Sequence, residues 1–344
     1  MRILSFLLFV PFLAFSQAPQ FEGNPLAAEE LSYELDEQGN RNPVARFGVV
    51  YHFDQNGHLA EHWIISPGEK KYDSHTVHQY EGERHVKSVE KSFNGDLRET
   101  LEHFYDANGK LVRISQVKSL LAFSQESEVR TDDRDRIVWM KTRKPQGGEP
   151  PQITENVFTG DTLVVSTTRD HTGKAIAVWT RRLTPQGDPL HIVQTDAEGK
   201  VVFESVYRDY QYDEAGNWTD RKGEVRFAFP GQEVTAMRSH DIRRIAYPRD
   251  HPDSLTPEYL HGRWASFLHG LELEFFPNGT YLAYTWGSRK DGGSWTLDAK
   301  EGILSVTGKE HREEYVALDF RYEDGVMVLY RPGVEGEAVL VKLR

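Results

Sequence analysis

The chain has 344 residues, with 53 acidic against 41 basic side chains, a formal net charge of -12, and no cysteine. The acidic balance, with no Lys/Arg run longer than two residues, argues against nucleic acid and anionic membrane surfaces as partners, because phosphate binding needs a concentrated basic surface. The missing cysteine excludes disulfides, thiolate metal sites and a lipid-modified cysteine, so the fold rests on its core.

The first element is a leader. Arg2 precedes an apolar run from Ile3 to Phe15, and Ser16-Gln17-Ala18 gives a small-x-small exit, so residues 1–18 read as a signal peptide cut after Ala18. The run is too short for a bilayer helix and Pro11 interrupts it. The expectation is an exported protein, periplasmic or secreted, with no membrane span after cleavage.

From Leu35 to Trp218 one phrase recurs, an aspartate, two variable residues and a glycine, followed by an extended stretch. The copies start at Asp36, Asp54, Asp106, Asp170, Asp196 and Asp213; two degenerate copies start at Asp132, where Asp135 replaces the glycine, and at Thr184. The aspartate accepts backbone N–H bonds at a tight turn and the glycine supplies a left-handed residue, which assigns structural work to Gly57, Gly109, Gly173, Gly199 and Gly216. With further turn signals at Gly68, Gly82, Gly95, Gly147 and Gly160, the pattern predicts an antiparallel β-hairpin repeat meander over residues 19–247, with a unit of about 26 residues.

The phrases YDANGKL at Tyr105 to Leu111 and YDEAGNWTDR at Tyr212 to Arg221 resemble the YD, or RHS-type, repeats of bacterial exported proteins, over roughly residues 30–247. That resemblance implies a β-sheet scaffold. Residues 248–257, from Pro248 to Pro257, read as a linker. Thr256 followed by Pro257 and Glu258 predicts a helical turn over Glu258 to Leu260.

Turn signals then divide residues 258–344 into eight candidate strands, which predicts a small eight-stranded up-and-down barrel. Its phrases Gly262-Arg263-Trp264, FFPNGTY at Phe275 to Tyr281 and GGSWTL at Gly292 to Leu297 resemble the lipocalin-like domains of bacterial exported proteins. The resemblance implies that Trp264 plugs the barrel floor. Leu271, Leu273 and Phe275 form one candidate inward row and Val326, Val328 and Tyr330 another. Tyr284, Trp286 and Trp295 are placed to fill the interior or to meet a small ligand there.

Chemistry-bearing groups form no motif. His58 and His62 lie about 13 Å apart on a strand, and His75 and His78 point to opposite faces, so neither pair holds a metal. Glu61, Glu90, Glu99 and Glu102 could supply a hydrolytic pair, yet nothing singles one pair out. GxSxG, SxxK, HExxH and phosphate-cradling loops are missing. Trp63, Trp139, Trp179 and Trp218 stand nine, seven, nine and five residues from the start of their turn phrases, all odd offsets, which predicts one shared face. That face is either a dry core, the preferred reading, or a platform for glycan rings or a partner protein. Even offsets also carry Val112, Ile114, Val138 and Met140, so neither face is cleanly polar.

The reading is an exported, non-enzymatic binding or structural protein of the cell envelope or extracellular space, without cofactor or metal. Its partner would be an envelope or extracellular protein or a glycan. The alternatives are a carrier of a small apolar ligand in the lipocalin-like domain and an envelope hydrolase with an unrecognised carboxylate pair.

Overall fold

The computed structural model describes residues 21–68, 71–119, 123–144, 150–228, 235–247, 255–267, 271–285, 288–298, 303–308, 317–323, 326–330 and 338–342; the expected leader and Trp286 lie outside the described residues. The first sixteen strands are β1 (Ala27–Glu34), β2 (Phe47–Phe53), β3 (Leu59–Ser66), β4 (Lys71–Glu81), β5 (Arg84–Ser92), β6 (Leu97–Tyr105), β7 (Leu111–Lys118), β8 (Phe123–Thr131), β9 (Ile137–Arg143), β10 (Gln152–Thr159), β11 (Leu163–Arg169), β12 (Ala175–Leu183), β13 (Pro189–Asp196), β14 (Val201–Tyr212), β15 (Trp218–Phe227) and β16 (Thr235–Ala246).

The recurring phrase forms the hairpins by the expected chemistry. Asp54 Oδ1 accepts from the backbone N–H groups of Asn56 at 2.8 Å and His58 at 2.9 Å, while Gly57 N–H donates to the Asp54 carbonyl at 3.0 Å. Gly57 sits at φ +83°, where a Cβ would be strained; in the degenerate copy Asp135 takes that conformation at φ 56°. A β-bulge follows several of these turns, as between His52/Phe53, Phe104/Tyr105 and Arg130/Thr131.

Each strand pairs with its sequence neighbours, and β1 pairs with β16 from Ala27↔Ala246 to Glu34↔Ser239, so the sheet closes into a barrel. The expected open hairpin-repeat meander is therefore wrong. A turn phrase fixes how one strand meets the next and carries nothing about where the sheet ends. The resemblance to YD/RHS repeats rested on those turns, which any antiparallel hairpin array uses.

Hairpins alternate between the two barrel ends. At one end neighbouring turns are stapled together: His58 Nε2 lies 2.8 Å from Glu83 Oε2, Lys110 Nζ donates to the Asp132 carbonyl at 3.4 Å, and Arg134 pairs with Asp161 at 2.5 Å. The segment before β1 joins this rim. Asn217 Oδ1 accepts from Glu22 N–H and Asn217 Nδ2 donates to the Glu22 carbonyl, both at 2.9 Å, and Phe21 packs on Tyr51 and Phe53 with centroids 5.4 and 5.0 Å apart.

The C-terminal strands are β17 (Gly262–Ser266), β18 (Leu271–Phe275), β19 (Thr280–Thr285), β20 (Ser288–Asp298), β21 (Ile303–Gly308), β22 (Ala317–Glu323), β23 (Val326–Tyr330) and β24 (Ala338–Lys342), preceded by the helical turn α1 (Pro257–Leu260). They run in sequence order and meet at β17 and β24 over two residue pairs, Trp264↔Lys342 and Ala265↔Val341. Thr256 caps α1, its side chain accepting from Tyr259 N–H at 3.2 Å. Trp264 is fully buried and its Nε1–H donates to the Leu260 carbonyl at 2.8 Å. Leu273, Phe275, Leu304, Phe320, Met327 and Leu340 fill the interior around it. In β23 Met327 enters this core; the side chains of the row expected at Val326, Val328 and Tyr330 lie outside the described residues.

The two units meet on the outside of the large barrel. Ala27, Val50, Trp63, Ile65 and Ala246 pack against Ala265, Phe267 and Val341 of the C-terminal unit. Beside this cluster Arg244 bonds to both Glu29 and Glu272.

Candidate functional site

The inner wall of the large barrel is the candidate site. Strand alternation separates its two faces. Outward residues form cross-strand ion pairs: Lys87–Glu102 at 2.8 Å, Arg113–Glu126 at 3.8 Å, Arg143–Glu128 at 2.8 Å, Arg169–Glu155 at 3.4 Å and Arg226–Glu204 at 3.8 Å. Inward residues are mostly uncharged and polar through the middle of the wall. Ser74, Thr76, Ser88, Gln116, Gln125, Ser127, Asn156, Ser166 and Ser205 are all buried.

Some of these hydroxyls pair across strands, Ser127 Oγ with Thr142 Oγ1 at 2.9 Å and Thr154 Oγ1 with Thr168 Oγ1 at 3.0 Å. Ser74 Oγ, Gln125 Nε2, Asn156 Oδ1 and Ser205 Oγ are buried without a hydrogen-bond partner within the protein. A buried polar atom left unpaired costs about 1–3 kcal/mol, so this belt favours a polar occupant over an apolar one. Sixteen strands enclose more space than their side chains fill. The half-buried state of inward Ile192, Gln194, Phe203 and Tyr207 fits such a lumen.

Near the stapled rim the inner wall carries a histidine ladder across β3 to β6. His62 Nδ1 lies 3.0 Å from His78 Nε2, and His78 Nδ1 lies 3.2 Å from His85 Nε2. Ser88 Oγ sits 2.9 Å from His78 Nδ1 and 2.8 Å from His85 Nε2, and the His85 and His103 ring centroids are 4.8 Å apart. Burial holds His62 down to about 4, His78 to about 3 and His103 to about 4, with the neighbouring imidazoles adding to each shift. The ladder has no common focus, since His78 turns opposite ring nitrogens to its two neighbours. Among the described residues no group of three or more His, Cys, Asp or Glu is placed to hold a metal ion.

Across the closure seam the wall is ionic. Arg221 pairs with Asp241 at 3.0 Å and Glu30 at 3.2 Å, Arg243 pairs with Glu30 at 3.0 Å, and Ser32 Oγ–H donates to Asp241 at 2.8 Å. Trp218 lies under both guanidinium groups, at 4.0 and 3.9 Å. An aromatic ladder runs along β12, β14 and β15, from Trp179 to Phe203 to Phe227, with centroids 5.7 and 5.3 Å apart.

The four tryptophans expected on one face divide between two. Trp63 and Trp139 point outward, the first buried under the C-terminal unit and the second half-buried beneath Arg130 at 4.5 Å. Trp179 and Trp218 point inward. An exposed platform of Trp63, Trp139 and Trp179 therefore does not exist. In the C-terminal unit Trp295 packs on the core and donates to the Phe276 carbonyl at 3.2 Å, and the Tyr284 hydroxyl donates to Glu274 at 3.2 Å.

The candidate carboxylates also separate. Glu61 and Glu102 face outward. Glu90 and Glu99 are cross-strand neighbours on the inner wall, each beside its own cation, Arg98 at 3.8 Å and Lys118 at 3.4 Å. The histidine ladder escaped the sequence reading because His78 and His85 lie on opposite sides of a turn. Only the register between neighbouring hairpins, β3 with β4, β4 with β5 and β5 with β6, brings them together with His62 and His103.

No family model matches the chain, and no curated protein matches it. Among solved structures the chain is similar to a porin-like protein from Bacteroides uniformis, at 9% sequence identity and a TM-score of 0.43, covering 65% of this chain and 99% of that one. The fold itself corrects the resemblances to YD/RHS repeats and to lipocalin-like domains: this chain displays a large closed antiparallel barrel, and its C-terminal unit has a side-chain-filled interior.

Proposed function

We propose that the protein is exported and acts in the cell envelope or outside it as a non-enzymatic binding protein, surrounded by water. Its large barrel takes a neutral, hydroxyl-rich ligand such as a glycan segment against the inner wall. The observation that carries this reading is the contrast between the two faces of one sheet. The outer face bears Arg113, Lys87, Arg143, Arg169 and Arg226 in ion pairs. An Arg or Lys on the lipid face of a barrel costs about 2–4 kcal/mol at the bilayer midplane and less toward the interfaces. These cations are spread along the strands, from Lys87 and Arg113 to the strand ends at Arg143 and Arg169, so together they oppose insertion.

The inner face offers hydroxyl and amide groups with unused capacity, and the Trp179–Phe203 pair beside them suits the apolar face of a sugar ring. Residues without a hydrolytic arrangement support binding over turnover, since Glu90 and Glu99 each stand with a cation.

Two measurements test the reading. The mature chain should fractionate in the detergent-free soluble extract of the envelope. Recovery only with detergent, from carbonate-washed membranes, overturns the water-surrounded barrel. Native mass spectrometry of the protein from its own host, followed by a glycan array, should give hydroxyl-rich adducts that weaken on Trp179→Ala; exclusively apolar adducts overturn the ligand class.

A further inference from the structure

A second site lies outside the barrel wall, where the two units meet. A cleft of about 250 Å³ is lined by residues that include His52, Ala60 and Glu61 from β2 and β3 and Ala265, Phe267 and Val341 from the C-terminal unit. Junctions between folded units are where small-molecule sites are commonly found. The volume falls below the roughly 300–1,000 Å³ of drug-sized sites, so the occupant is fragment-sized.

The walls are apolar on the C-terminal side and, on the barrel side, at Leu26, Ala27, Phe53 and Ala60, which leaves His52 and Glu61 as the polar lining residues. Glu61 is the one carboxylate among the lining residues, and none of them is Lys or Arg. The imidazoles beside it, His52 and then His75, hold the Glu61 carboxyl down to about 2, so it is charged through the physiological range. Its Oε2 lies 2.9 Å from His75 Nε2, while Oε1 is 3.5 Å from His52 Nδ1, a distance that leaves this oxygen capacity for a closer donor. His75 is itself fixed by stacking on Trp63, with centroids 4.5 Å apart and planes 2° from parallel. The neighbouring cation, Arg244 beside Phe267, is already bonded to Glu29 and Glu272 and does not offset the Glu61 charge.

We propose that this inter-unit cleft binds a small organic amine, its ammonium group donating to Glu61 while its apolar body lies against Phe267, Ala265 and Val341. A carboxylate with a free lone pair in a partly desolvated cleft selects a charged donor over a neutral one of the same shape. The site is independent of the barrel interior and of any ligand bound there.

The test compares benzylamine, benzyl alcohol and benzoate on the intact protein by titration calorimetry and ligand-observed NMR. Benzylamine should bind at least 10-fold more tightly than either isostere. Glu61→Gln should remove that preference while leaving the melting temperature within a few degrees, and Ala60→Phe should block all three ligands by filling the cleft. Equal affinity for amine and alcohol in the unaltered protein, or an amine preference that survives Glu61→Gln, overturns the proposal. The first comparison needs no variant, so a misfolded variant does not shelter the proposal.

Discussion

His78 Nδ1 and His85 Nε2 lie 3.2 Å apart on the inner wall, and Ser88 Oγ touches both. Neutral imidazoles tolerate this contact, whereas two imidazolium ions do not. Burial holds the native pKa values of His62, His78 and His103 at about 4, 3 and 4, below the ordinary value of about 6.5. These groups take up their protons mainly on unfolding. The stabilisation is complete above pH 6.5 and drains as pH falls through 6 toward 4. Melting temperature measured from pH 8 to pH 4 should fall steeply below pH 6, and His78→Gln should flatten that slope. An unchanged slope in the variant would remove the ladder as its cause.

The seam offers a second expectation. Asp241→Leu leaves the buried Arg221 guanidinium with Glu30 as its remaining carboxylate partner, and breaking a buried pair from one side typically costs about 3–5 kcal/mol. Adding Arg221→Met should recover part of the loss, because both charges then leave the interior together. Urea unfolding of the two variants measures the difference.

Gly173 sits at φ +86° with nothing within 4 Å of the place a Cβ would occupy. Gly173→Ala should therefore cost only the backbone term, about 1–2 kcal/mol, and Gly173→Asn less. Gly48 is the opposite case, with ordinary backbone but a Cβ that would meet Ile65 Cγ1 at 2.7 Å and Leu31 Cδ2 at 2.8 Å. Gly48→Ala should cost more than Gly173→Ala, by displacing side chains beneath the C-terminal unit; calorimetry orders the two.

Trp63→Ala should cost about 3–5 kcal/mol, as expected for a large aromatic removed from a core, because it empties the junction between the units. Trp139→Ala should cost less, since Trp139 stands half-buried on the outer face under a single guanidinium. Equal losses would mean that Trp63 does not anchor the junction.

Trp63 and Trp179 mark the limit of what local sequence pattern determines. The all-β character, the turns at Asp54 and Asp170 and the capped helical turn at Pro257 follow from local chemistry and are present in the fold. Trp63 and Trp179 stand nine residues from their respective turns and yet face opposite sides. In an up-and-down barrel successive hairpins turn at opposite ends, and the same hairpin inverted end for end presents its other face inward. Bulges beside the turns reverse the parity once more, which is why Trp218 points inward at its offset of five. Closure was invisible for a related reason: Glu30 and Arg243 carry no local signal of each other. Of the interior site, the sequence spacing singles out His62 only beside His58 and His78 only beside His75, and carries no sign of the contact between His62 and His78.

The β1–β16 pairing sets the order in which this protein assembles. Every other pairing in the large barrel joins adjacent hairpin strands, whereas Glu29 and Arg244 stand 215 residues apart. Local hairpins form quickly and long-range closure slowly, so the wall zips from neighbour to neighbour and its final step waits for the last strand. Until β16 emerges, β1 presents an open row of N–H and C=O groups to any other chain. A copy that stops short of β16 is thus a sheet with two sticky edges, and a chain that includes β16 is the first species that can bury them both.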